Sequence, residues 1–464
     1  MFSVTSLGFL PFMALFVCLW YRVPQPSRWK LVLAANVVFC LSIDIGAFFA
    51  VALATAVVWQ AAQNAQPEQP SRRGWLALGL AAALLPLLVL KYSGMLVPGL
   101  RDLYKPFGLA YYSLQLAGYL LDVWHGRTAP TPSYARLWCY AGFFLSLTQG
   151  PFNRYNTLMP QLEAAPKTFE TQRLVSGLQR SAWGYFKKFA IADRAAIVVS
   201  AAFADPASFD RSQLIFATVM YSFQLYADFS GYTDMAIGGA MMFGYRLSPN
   251  FNRPFAAKTI TDFWRRWHMS LSFWVRDYLY QPIAASKRYW GQWGIVYALV
   301  VTFVLLGVWH GAGWNYVIYG LIQGLIISYE MVTVAYRNKV ETSVGKHVFG
   351  AYSILRTYLL FAFSLLFFRL PSLSDAGYMI SHLSFNLHTS IKELRLGMTD
   401  QECIVAGVAV IVLFLYEYFM SKLDLLQALS ERHRIIRWGV YYLLVLLMFL
   451  FGQFGSEDFI YLQF

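Results

Sequence analysis

Two histidines occupy positions in this sequence where an imidazole could take part in chemistry. His310 follows an uninterrupted apolar run and precedes the residues GAGW. An ionisable group at hydrocarbon depth is costly unless it lines a cavity, which makes His310 a candidate functional residue. A neutral histidine accepts a hydroxyl proton near pH 7, so acyl transfer to an alcohol is a natural use. The alternative is a histidine that packs between helices and donates to a carbonyl.

His268 lies in an aromatic and cationic stretch at residues 250–282. A helix over residues 261–279, capped by Thr259 and Asp262, is predicted to lie in the membrane interface with its apolar face down. Its aromatic stripe would contain Trp264, Trp267, Leu271, Trp274 and Tyr278, while Arg265, Arg266 and Arg276 face water or phosphates. His268 falls at the border of the two faces. It is either an interfacial histidine bonded to a neighbour or a polar group directed into a cavity that receives an anionic donor.

Other charged residues stand in apolar surroundings. Asp228 and Asp234 must be bonded or neutral if they are buried, and a structural network is favoured over a catalytic pair. A cluster after Trp183 is interpreted as the cytoplasmic end of a helix and a topology signal, not as a site: Lys187, Lys188, Asp193 and Arg194.

The sequence lacks several motifs that would indicate other chemistry. It has no GxxxxGKS/T phosphate loop, no HExxH, no GxSxG and no HxxxxD. These absences disfavour an ATP-driven pump and a metalloprotease. The four cysteines are far apart and lack CxxC spacing, so neither disulfides, nor a metal site, nor a redox centre is expected.

The composition requires a membrane to surround the elements that carry these residues. Of 464 residues, 58% are hydrophobic and only 13% are charged, which is more apolar surface than one soluble core could bury. We expect one all-α integral membrane domain over residues 1–464, with no nucleic acid as a partner. The net charge of +13 is attributed to cationic cytoplasmic loops.

About eleven transmembrane helices are expected, with interfacial and re-entrant helices besides. The apolar run at 30–59 is too long for one crossing, and Asp44 and Gly46 indicate a turn between two helices. Residues 212–228 and 232–245 are interpreted as separate runs. The basic loops at 22–30 and 72–73 predict a cytoplasmic location for both and an external N-terminus. Residues 7–22 lack the features of a cleavable signal and are expected to remain as the first span.

Small residues also have a predicted role beside His310. Gly307 with Gly311, and Gly320 with Gly324, form small-xxx-small pairs. Such pairs let two helices approach closely in a bilayer.

Several motifs occur in an order that is typical of one family. They are DFWRRWHMSLSFWVRDYLY (Asp262 to Tyr280), GVWHGAGW (Gly307 to Trp314), QGPFNRY (Gln149 to Tyr155), WGYFKKFAIADR (Trp183 to Arg194), FQLYADFSGYTDMAIG (Phe223 to Gly238), NFNRPF and the terminal FIYLQF (Phe459 to Phe464). Together they resemble the membrane-bound O-acyltransferase family, in the bacterial branch of the alginate O-acetylation and teichoic-acid D-alanylation membrane proteins.

This resemblance implies a ring of tilted helices around a thin central funnel. His310 is then the expected catalytic base, and His268 is the second catalytic residue, which positions the thioester or acyl carbonyl. The expected donor-binding residues surround these two: Trp264, Arg265, Arg266, Trp267, Trp274, Arg276, Trp309, Trp314 and Asn315. No bound cofactor is expected, because acetyl-CoA or a carrier-bound thioester is a cytoplasmic substrate.

The resemblance also implies a cell-envelope function. We expect a multi-pass protein of the bacterial inner membrane that passes an acyl group, in the preferred reading acetyl, across the membrane for O-acylation of a polysaccharide. D-alanyl transfer to teichoic acid is the alternative within the family, and a lipid-linked sugar transporter is the alternative outside it. The later loops at 336–350 and 384–400 are too short for a folded domain. Besides lipids and the donor or its carrier protein, the expected partner is therefore an extracytoplasmic SGNH or serine-hydrolase-like protein that acylates the polymer.

Overall fold

The computed structural model describes most of the chain. It covers residues 8–66, 69–97, 104–164, 168–370, 372–384, 392–420 and 432–454, with residues 4, 6, 99, 386, 389, 390 and 429. The FIYLQF segment lies outside the described residues. Every regular element within them is a helix, which is the element that satisfies its own backbone hydrogen bonds in lipid.

The helices of the amino-terminal half are, in chain order, α1 Phe9–Arg22, α2 Arg28–Ile43, α3 Ile45–Asn64, α4 Arg72–Leu96, α5 Leu109–Trp124, α6 Tyr134–Ala141, α7 Tyr155–Leu158, α8 Pro160–Ala164, α9 Thr171–Phe186, α10 Asp193–Ala204 and α11 Arg211–Met242. A π-helical turn, Lys187–Ala192, joins α9 to α10.

The helices of the carboxy-terminal half are α12 Ile260–Trp264, α13 Met269–Val275, α14 Gln281–Ser286, α15 Gln292–His310, α16 Trp314–Val332, α17 Val334–Val344, α18 Lys346–Arg369, α19 Leu373–Ser381, α20 Asp400–Met420 and α21 Arg434–Phe451. A second π-helical turn, Arg276–Tyr280, joins α13 to α14.

Six helices of the described chain are long and apolar enough to cross a bilayer: α3, α4, α15, α18, α20 and α21. A seventh span would combine α16 and α17, which are bent by 68° with respect to each other. The chain is therefore a multi-pass membrane protein. Because α1, α2 and α5 have 14, 16 and 16 residues, short of the ~20 that span hydrocarbon, the number eleven stays a prediction.

The turn predicted within residues 30–59 is confirmed. Asp44 separates α2 from α3, and its carboxylate accepts a hydrogen bond from the Gly46 amide at 3.0 Å. This is the side-chain cap that a helix start requires in order to satisfy its first amides.

Two other expectations about element boundaries were wrong. Residues 212–245 do not form two runs, because α11 continues for 32 residues. Gly231 does not break this helix; a methyl group there would come within 2.8 Å of the Gly184 carbonyl, so the glycine serves close packing instead. The loop expected at 336–350 is largely α17 and the start of α18, because its lysine, arginine and glutamate residues favour a helix on the surface.

The described residues pack as two units. The first contains residues 1–181 and 232–249, and the second contains residues 182–231 and 250–464. The first unit has an aromatic core, in which Phe243 lies 5.0 Å from Phe16 and 5.3 Å from Trp20 between ring centroids. Both candidate histidines belong to the second unit. The expectation of one domain over the whole chain stays a prediction.

Candidate active site

His310 is the last residue of α15, a helix that is otherwise apolar. Its side chain is buried, with 4% of the residue exposed. Aromatic rings surround the imidazole, with centroid distances of 5.0 Å to Trp309, 5.1 Å to Phe368 and 6.2 Å to Tyr319. The carbonyl end of a helix stabilises a positive charge by about 0.3–1 kcal/mol. The helix end therefore offsets a small part of the cost of forming an imidazolium at this buried position.

Close packing of α15 on α16 fixes the position of His310. A methyl group on Gly307 would come within 2.2 Å of the Tyr316 carbonyl, and one on Gly320 within 2.2 Å of the Phe303 carbonyl. Gly324 similarly faces the backbone of Val300. The close approach predicted from the small-xxx-small pairs is confirmed, and any larger residue would push the two helices apart.

His268 is not part of one continuous helix, so the helix predicted over residues 261–279 was wrong. α12 ends at Trp264, and His268 has φ 45° and ψ 49° in the left-handed region before α13 begins. The backbone instead pairs with a distant segment: the Met269 amide donates to the Asn250 carbonyl and the Asn252 amide to the Arg266 carbonyl, both at 2.9 Å. The expected Thr259 cap is confirmed, since its hydroxyl accepts from the Asp262 amide at 2.9 Å.

The left-handed turn places His268 inside the protein instead of at the border of two helix faces. The residue is 1% exposed, and Phe229 packs edge-on against its ring at 4.6 Å. Nδ1 lies 3.4 Å from the Oδ1 atom of Asn250, which also accepts from the amide and the hydroxyl of Ser270. With Oδ1 as the acceptor, Nδ1 carries the proton and Nε2 is the basic atom of the ring.

The two histidines of the second unit lie near one tryptophan ring. The Trp309 ring lies 5.0 Å from His310 and 6.5 Å from His268. His268 lies outside the helices long enough to span, and burial lowers its pKa well below the usual range, with the nearby His310 adding to the shift. His268 is therefore neutral at neutral pH. A neutral imidazole beside a second one can hold a substrate group while the other accepts a proton.

The aromatic residues near His268 pack within the protein and do not form an interfacial stripe. Trp264 is buried and donates to the Gln323 side chain at 3.0 Å. Trp267 is also buried, and its ring lies 5.1 Å from Phe251. The expectation of an apolar face turned toward lipid was therefore wrong for these two residues. Trp274 is partly buried and packs on Tyr278 at 5.0 Å.

The arginines of this segment do face outward, as predicted. Arg265 and Arg276 are exposed, and Arg266 is partly exposed and paired with Asp262 at 2.9 Å. Arg276 similarly lies 2.6 Å from Asp277. Exposed pairs of this kind are weak, so the guanidinium groups can exchange partners with an arriving anion.

Three further residues were expected beside His310, and the structure separates them. Trp309 contacts both histidines, as described above. Trp314 is 68% exposed, whereas Asn315 is buried and donates to the carbonyls of Phe367 and Leu370 at 3.0 Å each. Asn315 thus ties α16 to the end of α18, and binding of a donor by Trp314 or Asn315 stays a prediction.

Glu330 positions the His268 segment and was missed in the sequence. It is 3% exposed, and its carboxylate accepts from the Ile260 amide at 3.0 Å and the Thr261 amide at 3.2 Å, at the start of α12. Arg356 pairs with the same carboxylate at 3.1 Å. The only sequence signal was a glutamate within the apolar α16. Asn250 was quoted in NFNRPF but was not assigned a role.

A buried ion network is the second feature that the sequence did not reveal. Lys188 lies 2.9 Å from both Asp193 and Asp228, and all three side chains are almost fully buried. Lys188 and Asp193 are thus part of a buried network, and their interpretation as a cytoplasmic topology signal stays a prediction, whereas a structural network at Asp228 is confirmed. In the first unit, Asp234 is bonded to Arg180 at 3.0 Å.

The sequence model of the membrane-bound O-acyltransferase family matches residues 93–370, which include both histidines and more than half of the chain. The chain belongs to this family. It is an acyltransferase, and the alternative of a transporter without covalent chemistry is disfavoured.

Three relatives show the range of activities within the family. A probable alginate O-acetylase of Azotobacter vinelandii is 34% identical over 339 residues, covering 69% of this chain and 66% of that protein. A peptidoglycan O-acetyltransferase of Helicobacter pylori is 33% identical over 293 residues, covering 55% of each. A teichoic acid D-alanyltransferase of Bacillus subtilis is 30% identical over 236 residues, covering 49% of this chain and 59% of that protein. This chain spans about two thirds or less of the length of these three relatives.

Proposed function

We propose that this chain transfers an acetyl group from a cytoplasmic thioester to a hydroxyl on the outer side of a bacterial cytoplasmic membrane, for O-acylation of a polysaccharide. The observation that carries the proposal is the pair of buried imidazoles, His268 and His310, near one tryptophan ring of the second unit. Family membership supplies the reaction class. Two of the three relatives above are named as O-acetylating enzymes.

In the proposed reaction His310 is the general base. The acceptor hydroxyl attacks the thioester carbonyl carbon while the His310 imidazole takes the hydroxyl proton. The new C–O bond forms, the C–S bond breaks, and the proton passes from the imidazolium to the departing thiolate. The carbonyl end of α15 stabilises the intermediate positive charge on His310, and the aromatic rings around it keep water from the thioester.

His268 has the complementary role of binding substrate in this proposal. Its Nδ1 faces Asn250, which leaves Nε2 as a hydrogen-bond acceptor. An acceptor suits the N–H or O–H of a substrate. To position the acyl carbonyl by donating a hydrogen bond to it, the role expected in the sequence analysis, His268 would need the other tautomer, with the proton on Nε2.

The donor would be attracted by the outward-facing arginines of this segment. Residues 246–288 contain eight Lys and Arg against two Asp, and both acetyl-CoA and a phosphopantetheine carrier are anionic. The electrostatic field of such a cationic surface raises the association rate of an anionic donor more than it raises the donor's binding affinity.

D-alanyl transfer is the second candidate, because one relative at 30% identity is named as a teichoic acid D-alanyltransferase. Purified protein should be offered labelled acetyl-CoA and, separately, carrier-bound D-alanine. Acetyl transfer with no D-alanyl transfer is the expected result. The reverse preference would replace the acetyl assignment and leave the role of His310 intact.

The proposal includes a second protein, an extracytoplasmic hydrolase-like enzyme with a serine nucleophile that completes transfer to the polymer. Its support is the shortness of the segments between the described helices, which leaves little surface to hold a polymer. Reconstitution of the single chain in vesicles with donor and polymer is the test. Efficient polymer acylation without a second protein would contradict the two-component reading.

A further inference from the structure

The first unit contains a cavity of about 500 Å³ that the proposed reaction does not use. Its walls combine cationic, aromatic and aliphatic side chains. Those that matter for its chemistry are Gln25, Trp29, Arg136, Tyr155, Met159 and Leu162.

The cavity lies where spanning helices end. Trp59 and Gln63, in the last turns of α3, donate to the Thr131 carbonyl at 3.0 and 2.7 Å. Thr131 comes three residues before α6, whose first turn carries Arg136. α3 is long and apolar enough to cross a bilayer, so the Thr131 carbonyl beside its last turns lies near the depth at which a spanning helix leaves the hydrocarbon. Phospholipid headgroups occupy that depth.

The charge around the cavity favours an anion. Arg136 lines the cavity, and a guanidinium can form two parallel hydrogen bonds to a phosphate. Lys30 follows Trp29, and its ammonium lies 5.8 Å from the Trp29 ring. Basic pockets between membrane helices take lipid headgroups by this combination of charge and depth.

The rest of the wall suits an amphiphile. Met159 and Leu162 are buried apolar residues, and Trp29 and Tyr155 have the mixed polarity of residues at a membrane surface. We propose that this cavity binds the headgroup phosphate of an anionic phospholipid, with Arg136 on the phosphate and the apolar wall along the glycerol and first acyl carbons. The proposal is independent of the acetyl donor and of the histidines.

Native mass spectrometry of the full chain in neutral detergent, titrated with dioleoyl phosphatidylglycerol, tests the site. Arg136→Gln should weaken binding at least tenfold, because it removes the charge-assisted hydrogen bonds to the phosphate. Arg22→Gln removes a nearby exposed charge that does not line the cavity and should leave the affinity within about twofold, since exposed charges interact weakly through water.

Two substitutions of Gln25 should change the affinity in opposite directions, which a loss of folding could not do. Gln25→Glu is nearly isosteric and should weaken phosphatidylglycerol binding, whereas Gln25→Lys should strengthen it. Equal affinity in wild type, Arg136→Gln and both Gln25 variants would overturn the proposal. Competition by glycerol 3-phosphate at the concentration of the lipid would overturn the lipid assignment in favour of a soluble phosphate, and equal binding of phosphatidylcholine would overturn the requirement for an anion.

Discussion

Replacing Glu330 with glutamine should loosen the segment that carries His268. The carboxylate holds the first amides of α12 through both of its oxygens, at Ile260 and Thr261, and also pairs with Arg356. Glutamine keeps one acceptor oxygen and replaces the other with an NH₂ group. That group must face either the Thr261 amide or the Arg356 guanidinium, and both of these are donors.

The size of the effect follows from these contacts. Removing one partner of a buried ion pair costs about 3–5 kcal/mol. Arg356 retains 18% side-chain exposure, so water can partly compensate it, and the lower end, about 3 kcal/mol, is the appropriate expectation. Since about 1.4 kcal/mol corresponds to tenfold in an equilibrium, local opening of α12 should become about 100-fold more frequent.

Hydrogen exchange of the backbone amides measures this opening directly. A peptide covering residues 258–264 should exchange about 100-fold faster in Glu330→Gln, if this segment opens locally. Glu341→Gln on the surface helix α17 is the matched control and should exchange like wild type. Acyl transfer should also fall, because the segment that carries His268 is displaced.

One outcome would refute the reasoning. If residues 258–264 keep wild-type exchange in Glu330→Gln while the protein stays folded, the carboxylate does not hold the start of α12. The position of His268 would then depend on its pairing with the Asn250 segment alone.

Three further predictions concern the reaction. His310→Gln should lower acyl transfer from labelled acetyl-CoA by about 10²–10⁴-fold, as loss of a general base does, and a near wild-type rate would remove His310 from the mechanism. Charge reversal at Arg265 and Arg266 should raise the donor KM. Transfer by the wild type should weaken as salt rises, because exposed charges are screened within about 8 Å at physiological ionic strength. A KM that does not change with salt concentration would assign both arginines to binding of lipid headgroups. Asn250→Asp should raise the pKa of His268, which burial otherwise lowers, and so move the acidic limb of the kcat–pH profile to higher pH. The control Asn252→Asp, at an exposed position, should leave the profile unchanged. Identical profiles for the two variants and wild type would show that Asn250 does not set the protonation of His268.

The sequence was informative wherever the signal is local. His310 could be recognised because a single polar residue ends a long apolar run, and the α15–α16 contact could be predicted from glycine spacing four residues apart. The Asp44 turn and the Thr259 cap likewise depend on residues within three positions of each other.

The rest depends on contacts between distant parts of the chain. The 3.6-residue periodicity of residues 261–279 predicted a continuous helix through His268. Nothing in that pattern indicates that His268 has a left-handed backbone conformation or that the Met269 amide donates to the Asn250 carbonyl. The Lys188 cluster resembled a surface helix end because its second carboxylate, Asp228, lies 40 residues further along the chain. Trp264 and Trp267 were expected to face lipid, because the helices that cover them are not adjacent in sequence and their packing could not be predicted from local periodicity.

The π-helical turn at Lys187–Ala192 sets the relative positions of the buried charges of Lys188 and Asp193. In a regular α-helix, residues five apart point about 140° away from each other, since each residue turns the helix by about 100°. The π turn closes after five residues and so brings Lys188 and Asp193 to one side, where Lys188 pairs with both Asp193 and Asp228. Deleting a single apolar residue such as Ala190 would convert the turn to a regular α-helix and leave Lys188 and Asp193 four positions apart, about 40° apart around the axis, so their ion pair should persist. The π turn thus accommodates one residue more than a regular helix would while keeping the two charges on the same side.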